Sequence, residues 1–278
     1  MLISTTQLHA RLAAADCLIF DCRHDTFDFQ RGARVYAEGH IPGAHFVPVE
    51  SELAGEKTGR NGRHPLPEPT AFAAFLNRYG ATSSTQLVAY DDAGGQYAAR
   101  FWWLARWIGL TRVAVLDGGL PKWIAEARPL VIEVPVPRGG GSVAAIVDDS
   151  RHLPITALET ALTEGTGLVL DARAPERFRG EAEPVDKVAG RIPDARNRFF
   201  KLNLNADLTM RPAEELRREF ATVLGEWRPD QIVHQCGSGV TACVNLLAME
   251  HAGLTGSKLY VGSWSEWIGD PARPIGRG

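Results

Sequence analysis

The sequence predicts an α/β protein built from two homologous domains in tandem, each a mainly parallel sheet flanked by helices. Three observations carry this. The chain is 278 residues long, beyond the roughly 100–150 residues usual for one domain. Short β-rich runs alternate with helical stretches, the pattern of parallel strands joined by crossover helices. The second half also repeats landmarks of the first in the same order.

The landmarks begin with Asp21-Cys22-Arg23, answered by Asp171-Ala172-Arg173 at an offset of 171 − 21 = 150. His40-Ile41-Pro42-Gly43-Ala44 is answered by Arg191-Ile192-Pro193-Asp194-Ala195, offset 192 − 41 = 151, and Gly118 to Trp123 by Gly262 to Trp267, offset 144. Each half carries an apolar run ending in an aspartate (17–21 and 167–171) and a second run (86–90 and 231–235). A helical stretch follows (97–107 and 240–251), then a third short strand (113–116 and 259–261). Between the halves, Glu133 to Gly141 holds two prolines and three glycines, which oppose regular structure. The expected organisation is a first domain over 1–128, a linker over 129–153 and a second domain over 154–278. In parallel sheets of this kind ligands sit outside the carboxyl ends of the strands.

Composition narrows the function. Apolar residues make up 45% and charged residues 23% of the chain, as in ordinary globular proteins. A net charge of −3 offers no electrostatic footprint for nucleic acid or an anionic membrane. No run approaches the ~20 apolar residues that span a bilayer, and no signal-peptide pattern opens the chain. A cytoplasmic location is therefore expected, where thiols stay reduced. The four cysteines, Cys17, Cys22, Cys236 and Cys243, include no Cys-x-x-Cys pair, which argues against a zinc ribbon or a thioredoxin-like motif.

The segment richest in chemistry is Cys236-Gly237-Ser238-Gly239-Val240-Thr241-Ala242. It places a thiol after a buried strand, in a glycine-containing loop that opens a helix. Unpaired backbone N–H groups and the helix dipole at such a place favour a thiolate, the nucleophilic form. Gly237 and Gly239 let the backbone curl round the sulfur. The same cradle would hold a terminal persulfide. A buried, inert cysteine is the plain alternative. A phosphatase would need an arginine six positions after the cysteine, to clamp phosphate, and that position is Ala242.

This loop, with the tandem repeat, the His40-Ile41-Pro42-Gly43-Ala44 motif and the segment Gly262 to Trp267, resembles 3-mercaptopyruvate sulfurtransferases of the rhodanese superfamily. The resemblance covers nearly the whole chain. It implies two rhodanese domains of which only the second is catalytic. Alignment of 88–91 with 233–236 puts Asp91 where the nucleophile should be, and a carboxylate cannot carry sulfane sulfur. The silent first domain would then supply a wall of the active-site cleft. By the same resemblance Arg177 holds the substrate carboxylate, and Gly237, Gly239, Val240 and Thr241 line the site. A second arginine usual in the family is absent, leaving Lys187 or Arg191 as replacements. A Ser-His-acid relay would consist of Ser238, His64 (supplied by the silent domain) and Glu50, moving a proton as mercaptopyruvate becomes pyruvate enolate.

The implied reaction moves sulfur from a small-molecule donor through a Cys236 persulfide to cyanide or a thiol, thioredoxin among the possible acceptors, with no metal or organic cofactor. Covalent half-reactions imply ping-pong kinetics. Thiosulfate-preferring enzymes carry cations directly after the cysteine; here Gly237 and Ser238 stand there, which favours mercaptopyruvate. The competing readings are thiosulfate as the main donor and a non-catalytic rhodanese-like binding module. Cys17 and Cys22 read as core, and Cys243, about two helical turns past Cys236, lies too far for an undistorted disulfide with it. Trp102, Trp103 and Trp107 read as packing, and Trp264 as a residue that shapes the pocket.

Overall fold

A computed structural model describes residues 1–278 and divides the chain into two compact units. The first contains a five-stranded sheet of β1 (Leu2–Ile3), β2 (Cys17–Asp21), β3 (Ala44–Phe46), β4 (Gln86–Tyr90) and β5 (Val113–Leu116), in the order β1-β5-β4-β2-β3. The second contains β6 (Leu168–Asp171), β7 (Arg196–Asn197), β8 (Ile232–Gln235) and β9 (Lys258–Leu259), in the order β7-β6-β8-β9. Every pairing is parallel. The second sheet repeats the order of the first, with a single parallel bridge from His152 to Leu259 standing where β1 pairs with β5.

The central strands β2, β6 and β8 are buried along their whole length, because helices cover both faces of each sheet. Strands covered in this way read as continuous apolar runs rather than alternating ones. Val169 and Val233 pack with Leu158, Ile192, Tyr260, Trp264 and Trp267 in the second unit. Ile19, Val88, Ile41 and Trp123 form the matching cluster in the first.

The repeated Asp-x-Arg motif has one geometry in both units. Asp21 Oδ1 accepts the backbone N–H of Arg23, and the Arg23 guanidinium returns to clamp the same carboxylate and reach the carbonyl of Gly39. Asp171, Arg173 and Gly190 do the same. The motif therefore ties the end of a central strand to the turn that leads into Ile41 or Ile192. In each unit the residue before that isoleucine bridges antiparallel to a later segment, His40 to Val131 and Arg191 to Gly276.

The linker prediction meets a more ordered segment than its prolines and glycines suggest. Residues 129–148 belong to the first unit and are bonded along it. Val131 exchanges backbone hydrogen bonds with His40, Asn77 grips Val143 from both sides, and Ile146 and Asp148 donate to the carbonyls of Ile108 and Trp107. Proline removes the donors a regular element needs, yet the remaining N–H groups still find partners one by one.

Two short segments also change sides relative to the sequence. Glu56–Pro65 packs with the second unit and Asn205–Met210 with the first. His64, which lies within the sequence span of the first domain, thus packs with the second unit. The reason is local: Gly62, at φ +81°, approaches so closely that an added Cβ would lie 2.6 Å from the Gly262 carbonyl oxygen. The next N–H, that of Arg63, donates to Ser265 Oγ at 3.1 Å. No helix is long and apolar enough to cross a membrane.

Candidate active site

Cys236 follows β8 directly and is 2% exposed. Its backbone is pinned on both sides by the short helix Ser263–Trp267. Ser263 Oγ accepts the Cys236 N–H at 3.1 Å while donating to the Tyr260 carbonyl at 2.9 Å. The Trp264 and Ser265 N–H groups donate back to the carbonyls of Cys236 and Gly237, each at 3.0 Å. Ser263 holds a left-handed backbone, φ +53°, to make these contacts. Gly239 has φ +75°, and a Cβ there would meet the Val261 carbonyl oxygen at 2.3 Å, so only glycine lets the loop turn at this point. The helix proper starts at Ala242, two residues later than its sequence pattern suggests, because Val240 and Thr241 still belong to the loop.

Ser238 is buried, and its Oγ lies 2.8 Å from His64 Nδ1. The structure therefore brings together the serine and histidine of the expected relay, both inside the second unit. Glu50, the expected acid, belongs to the first unit, where its carboxylate stands 3.5 Å from His24 Nε2.

Arg177 lies on the short helix Pro175–Arg179 and is engaged by two acids. Its guanidinium forms a two-point pair with Glu183, Nη2 to Oε1 at 2.6 Å, and touches Asp186 Oδ2 at 3.3 Å. Asp186 in turn pairs with Arg63. An added Cβ on Gly237 would lie 2.8 Å from Arg63 Nη2, 3.5 Å from Arg177 Nη2 and 3.6 Å from Asp186 Oδ2. Two guanidiniums and a carboxylate thus converge on the residue next to Cys236.

Of the two replacements expected for the missing second arginine, one is held elsewhere and the other faces outward. The Arg191 guanidinium donates to the Gly278 carbonyl at 2.6 Å and lies over the Phe178 ring. Lys187 is exposed. The cation joined to Arg177 is Arg63, through the carboxylate of Asp186.

Behind this group lies a buried ionic chain. Arg173, clamped on Asp171, reaches Glu183 Oε2 at 3.4 Å and lies over the Trp264 ring at 4.8 Å. Burial opposes its charge, but Asp171 and Glu183 hold its pKa above the ordinary value. Burial likewise opposes the Glu183 carboxylate, yet the Arg177 guanidinium and the N–H groups of Asp186 and Val185 bring it below the usual range. Trp264 supports this floor from the core, donating its indole N–H to the Val188 carbonyl at 2.8 Å. Cys243 is buried in the following helix, its thiol donating to the Gly239 carbonyl. It braces the loop from behind.

Sequence reasoning missed Arg63, Glu183 and Ser263. Arg63 was signalled only by its place beside His64. Ser263 could have been found from the repeat, since it occupies the position of Gly119, whose φ of +57° it shares within a few degrees.

The first unit carries the same loop with other chemistry. Asp91 is 1% exposed, and its carboxylate accepts four backbone N–H groups, those of Ala93, Gly95, Tyr97 and Ala98, at 2.8–3.0 Å. The loop that would cradle an anion is filled by an anion of its own. Leu120 N–H donates to the Asp91 carbonyl as Trp264 does to that of Cys236.

Comparison with known proteins agrees with this duplicated arrangement. The rhodanese-like domain model matches twice, over residues 4–126 and 155–270. The chain is 44% identical over 279 residues to the "Probable 3-mercaptopyruvate sulfurtransferase" of Pseudomonas aeruginosa, covering 100% of this chain and 98% of that protein. It is 32% identical to the thiosulfate sulfurtransferase of Azotobacter vinelandii, covering 99% of this chain and 96% of the other. The crystal structure of the Escherichia coli 3-mercaptopyruvate enzyme superposes with a TM-score of 0.82 at 31% identity, over 95% of this chain and 99% of that one. With its two matched domains and full-length relatives, the chain belongs to the rhodanese family of sulfurtransferases.

Proposed function

We propose that the chain transfers sulfane sulfur from 3-mercaptopyruvate, through a persulfide on Cys236, to a thiol acceptor. The observation that carries this reading is the convergence on one loop of a cysteine, a serine–histidine pair and two arginines. The Cys236 thiolate attacks the donor sulfur, and the C–S bond breaks with its electron pair moving into the enolate of pyruvate. The outer sulfur stays on Cys236, and a proton delivered through Ser238 and His64 converts the enolate to pyruvate. The loop glycines, with Val240 and Thr241, surround the new S–S bond. Arg177 and Arg63 supply the charge that holds the donor carboxylate.

The acceptor then takes the outer sulfur: cyanide in an assay, a small thiol or a thioredoxin-like dithiol in the cell. A cytoplasmic setting suits this step, since reduced thiols are abundant there. Thiosulfate is a second donor on the same chemistry, leaving as sulfite. Its place behind mercaptopyruvate follows from Gly237 and Ser238, which put no cation directly after the nucleophile.

Intact mass spectrometry tests the reading. Incubation with 3-mercaptopyruvate should add one sulfur, about 32 Da, that cyanide removes and that Cys236→Ala never acquires. Absence of the adduct with both donors would defeat it and leave the binding-module alternative. A thiosulfate adduct that forms faster than the mercaptopyruvate one would reverse the donor assignment.

A further inference from the structure

Asp186 and Glu183 both face Arg177, but they are held very differently. Glu183 Oε1 accepts from Arg177 Nε and Nη2 and from the backbone N–H groups of Val185 and Asp186, and its Oε2 lies 3.4 Å from Arg173. That carboxylate is built into the fold. The Asp186 carboxylate contacts only the two guanidiniums, Arg63 on one oxygen and Arg177 on the other. Burial raises its pKa, with the arginines pulling the other way, so its charge is the more easily given up of the two. It lies beside Gly237, the residue next to Cys236.

We propose that Asp186 selects the sulfur donor by charge: it occupies the two-arginine grip of Arg63 and Arg177, exchanges with the single carboxylate of a 2-oxo acid thiol, and repels dianions such as thiosulfate. This rests on the sulfur-transfer reading above and goes beyond it by assigning donor choice to one side chain. The two arginines and two carboxylates sum to zero formal charge. A monoanion that displaces Asp186 keeps both guanidiniums paired, one carboxylate replacing another with the same two-oxygen geometry. A dianion brings a second charge toward a displaced but still neighbouring carboxylate, and like charges at close range penalise the wrong ligand.

The test compares the rate of persulfide formation from the two donors in the wild type, Asp186→Asn and Arg63→Gln, read by intact mass. The ratio of donors is the readout, because it does not depend on how much of a variant is folded. Asp186→Asn should raise the thiosulfate-to-mercaptopyruvate ratio about tenfold, which corresponds to about 1.4 kcal/mol. Arg63→Gln removes a positive charge and should move the ratio the opposite way, with KM for mercaptopyruvate rising more than kcat falls. A general loss of structure would depress both donors together. A ratio within twofold of wild type in either variant would overturn the proposal while leaving sulfur transfer intact. Failure of the wild type to take sulfur from either donor would instead remove the functional reading on which it stands.

Discussion

The loop after β4 and the loop after β8 occupy equivalent places in two equivalent sheets, and they differ in what fills them. After β4 the Asp91 carboxylate satisfies four backbone N–H groups of its own loop. After β8 a thiol stands at the same position, and its backbone N–H is held by Ser263 Oγ. One loop is closed by an internal carboxylate; the other, on the function proposed above, receives sulfur. A single scaffold can therefore be structural or catalytic according to one side chain.

Cys236→Ala and Asp91→Ala give the largest effects and separate these two roles. The first should abolish sulfur uptake entirely while shifting stability by no more than about 1 kcal/mol, since it removes a small side chain. The second should leave buried N–H groups without acceptors, at about 1–3 kcal/mol each before water replaces some of them. Thermal or denaturant unfolding should show a loss of about 3–5 kcal/mol. Sulfur uptake per folded molecule should persist. Equal loss of activity in both variants, measured at matched folded fraction, would break the division of labour.

The proposed relay sharpens the catalytic side. Ser238→Ala removes the hydroxyl 2.8 Å from His64. General acid–base contributions are of order 10²–10⁴, so kcat with mercaptopyruvate should fall by about 10²-fold. Thiosulfate, whose sulfite leaving group needs no carbon protonation, should suffer far less. Equal losses with the two donors would remove Ser238 from proton transfer.

A buried histidine in the second sheet predicts how stability depends on pH. His234 lies on β8, is fully buried, has no hydrogen-bond partner for either ring nitrogen, and is pushed by burial down to a pKa of about 3. The unfolded value is about 6.5. The folded pKa is depressed, so the unfolded chain binds the proton first. Stability is complete above about pH 6.5 and falls by up to about 1.4 kcal/mol per pH unit as pH drops toward 3. His45 on β3, lowered to about 4 by burial, adds a parallel slope in the first unit. Replacement of His234 by leucine should leave stability at pH 7 unchanged or improved and flatten the acid limb. Denaturant titrations at pH 7 and pH 5 check this, and an unchanged slope in the variant would refute it.

Much of the fold was legible because buried parallel strands advertise themselves as apolar runs. β2, β4 and β5 start and end where those runs do, and β6 and β8 begin one residue later. Asp-x-Arg was visible as a repeat, though its work as a clamp on Gly39 and Gly190 appears only in the fold. Cys236 and Arg177 could be singled out as candidates because each sits in a local motif of the sequence. The grip of Arg63 on Asp186 was not, since it joins residues 123 apart in sequence through an ion pair that no local pattern marks. The transfer of Glu56–Pro65 to the second unit was hidden for the same reason. It depends on Gly62 fitting against Gly262, a contact between two glycines that look like ordinary loop residues.

Ser263 gives the smallest effect and the finest comparison. Its counterpart Gly119 has nearly the same left-handed backbone, φ +57° against +53°, but a Cβ at Gly119 would stand 2.4 Å from the Asp91 carbonyl oxygen. In the second unit the position carries a side chain because the hydroxyl is used to hold the Cys236 N–H. Ser263→Gly relieves backbone strain of about 1 kcal/mol and gives up hydrogen bonds of similar worth. Its net effect on unfolding should stay within about 1 kcal/mol. Ser263→Ala keeps the strain and loses the hydroxyl, so it should cost about 1–2 kcal/mol more than the glycine variant. In both, sulfur uptake should slow alike, because the Cys236 backbone has lost the same anchor. If alanine proves as stable as glycine, the left-handed turn carries no strain at Ser263, and the difference between the two units there reduces to the hydroxyl alone.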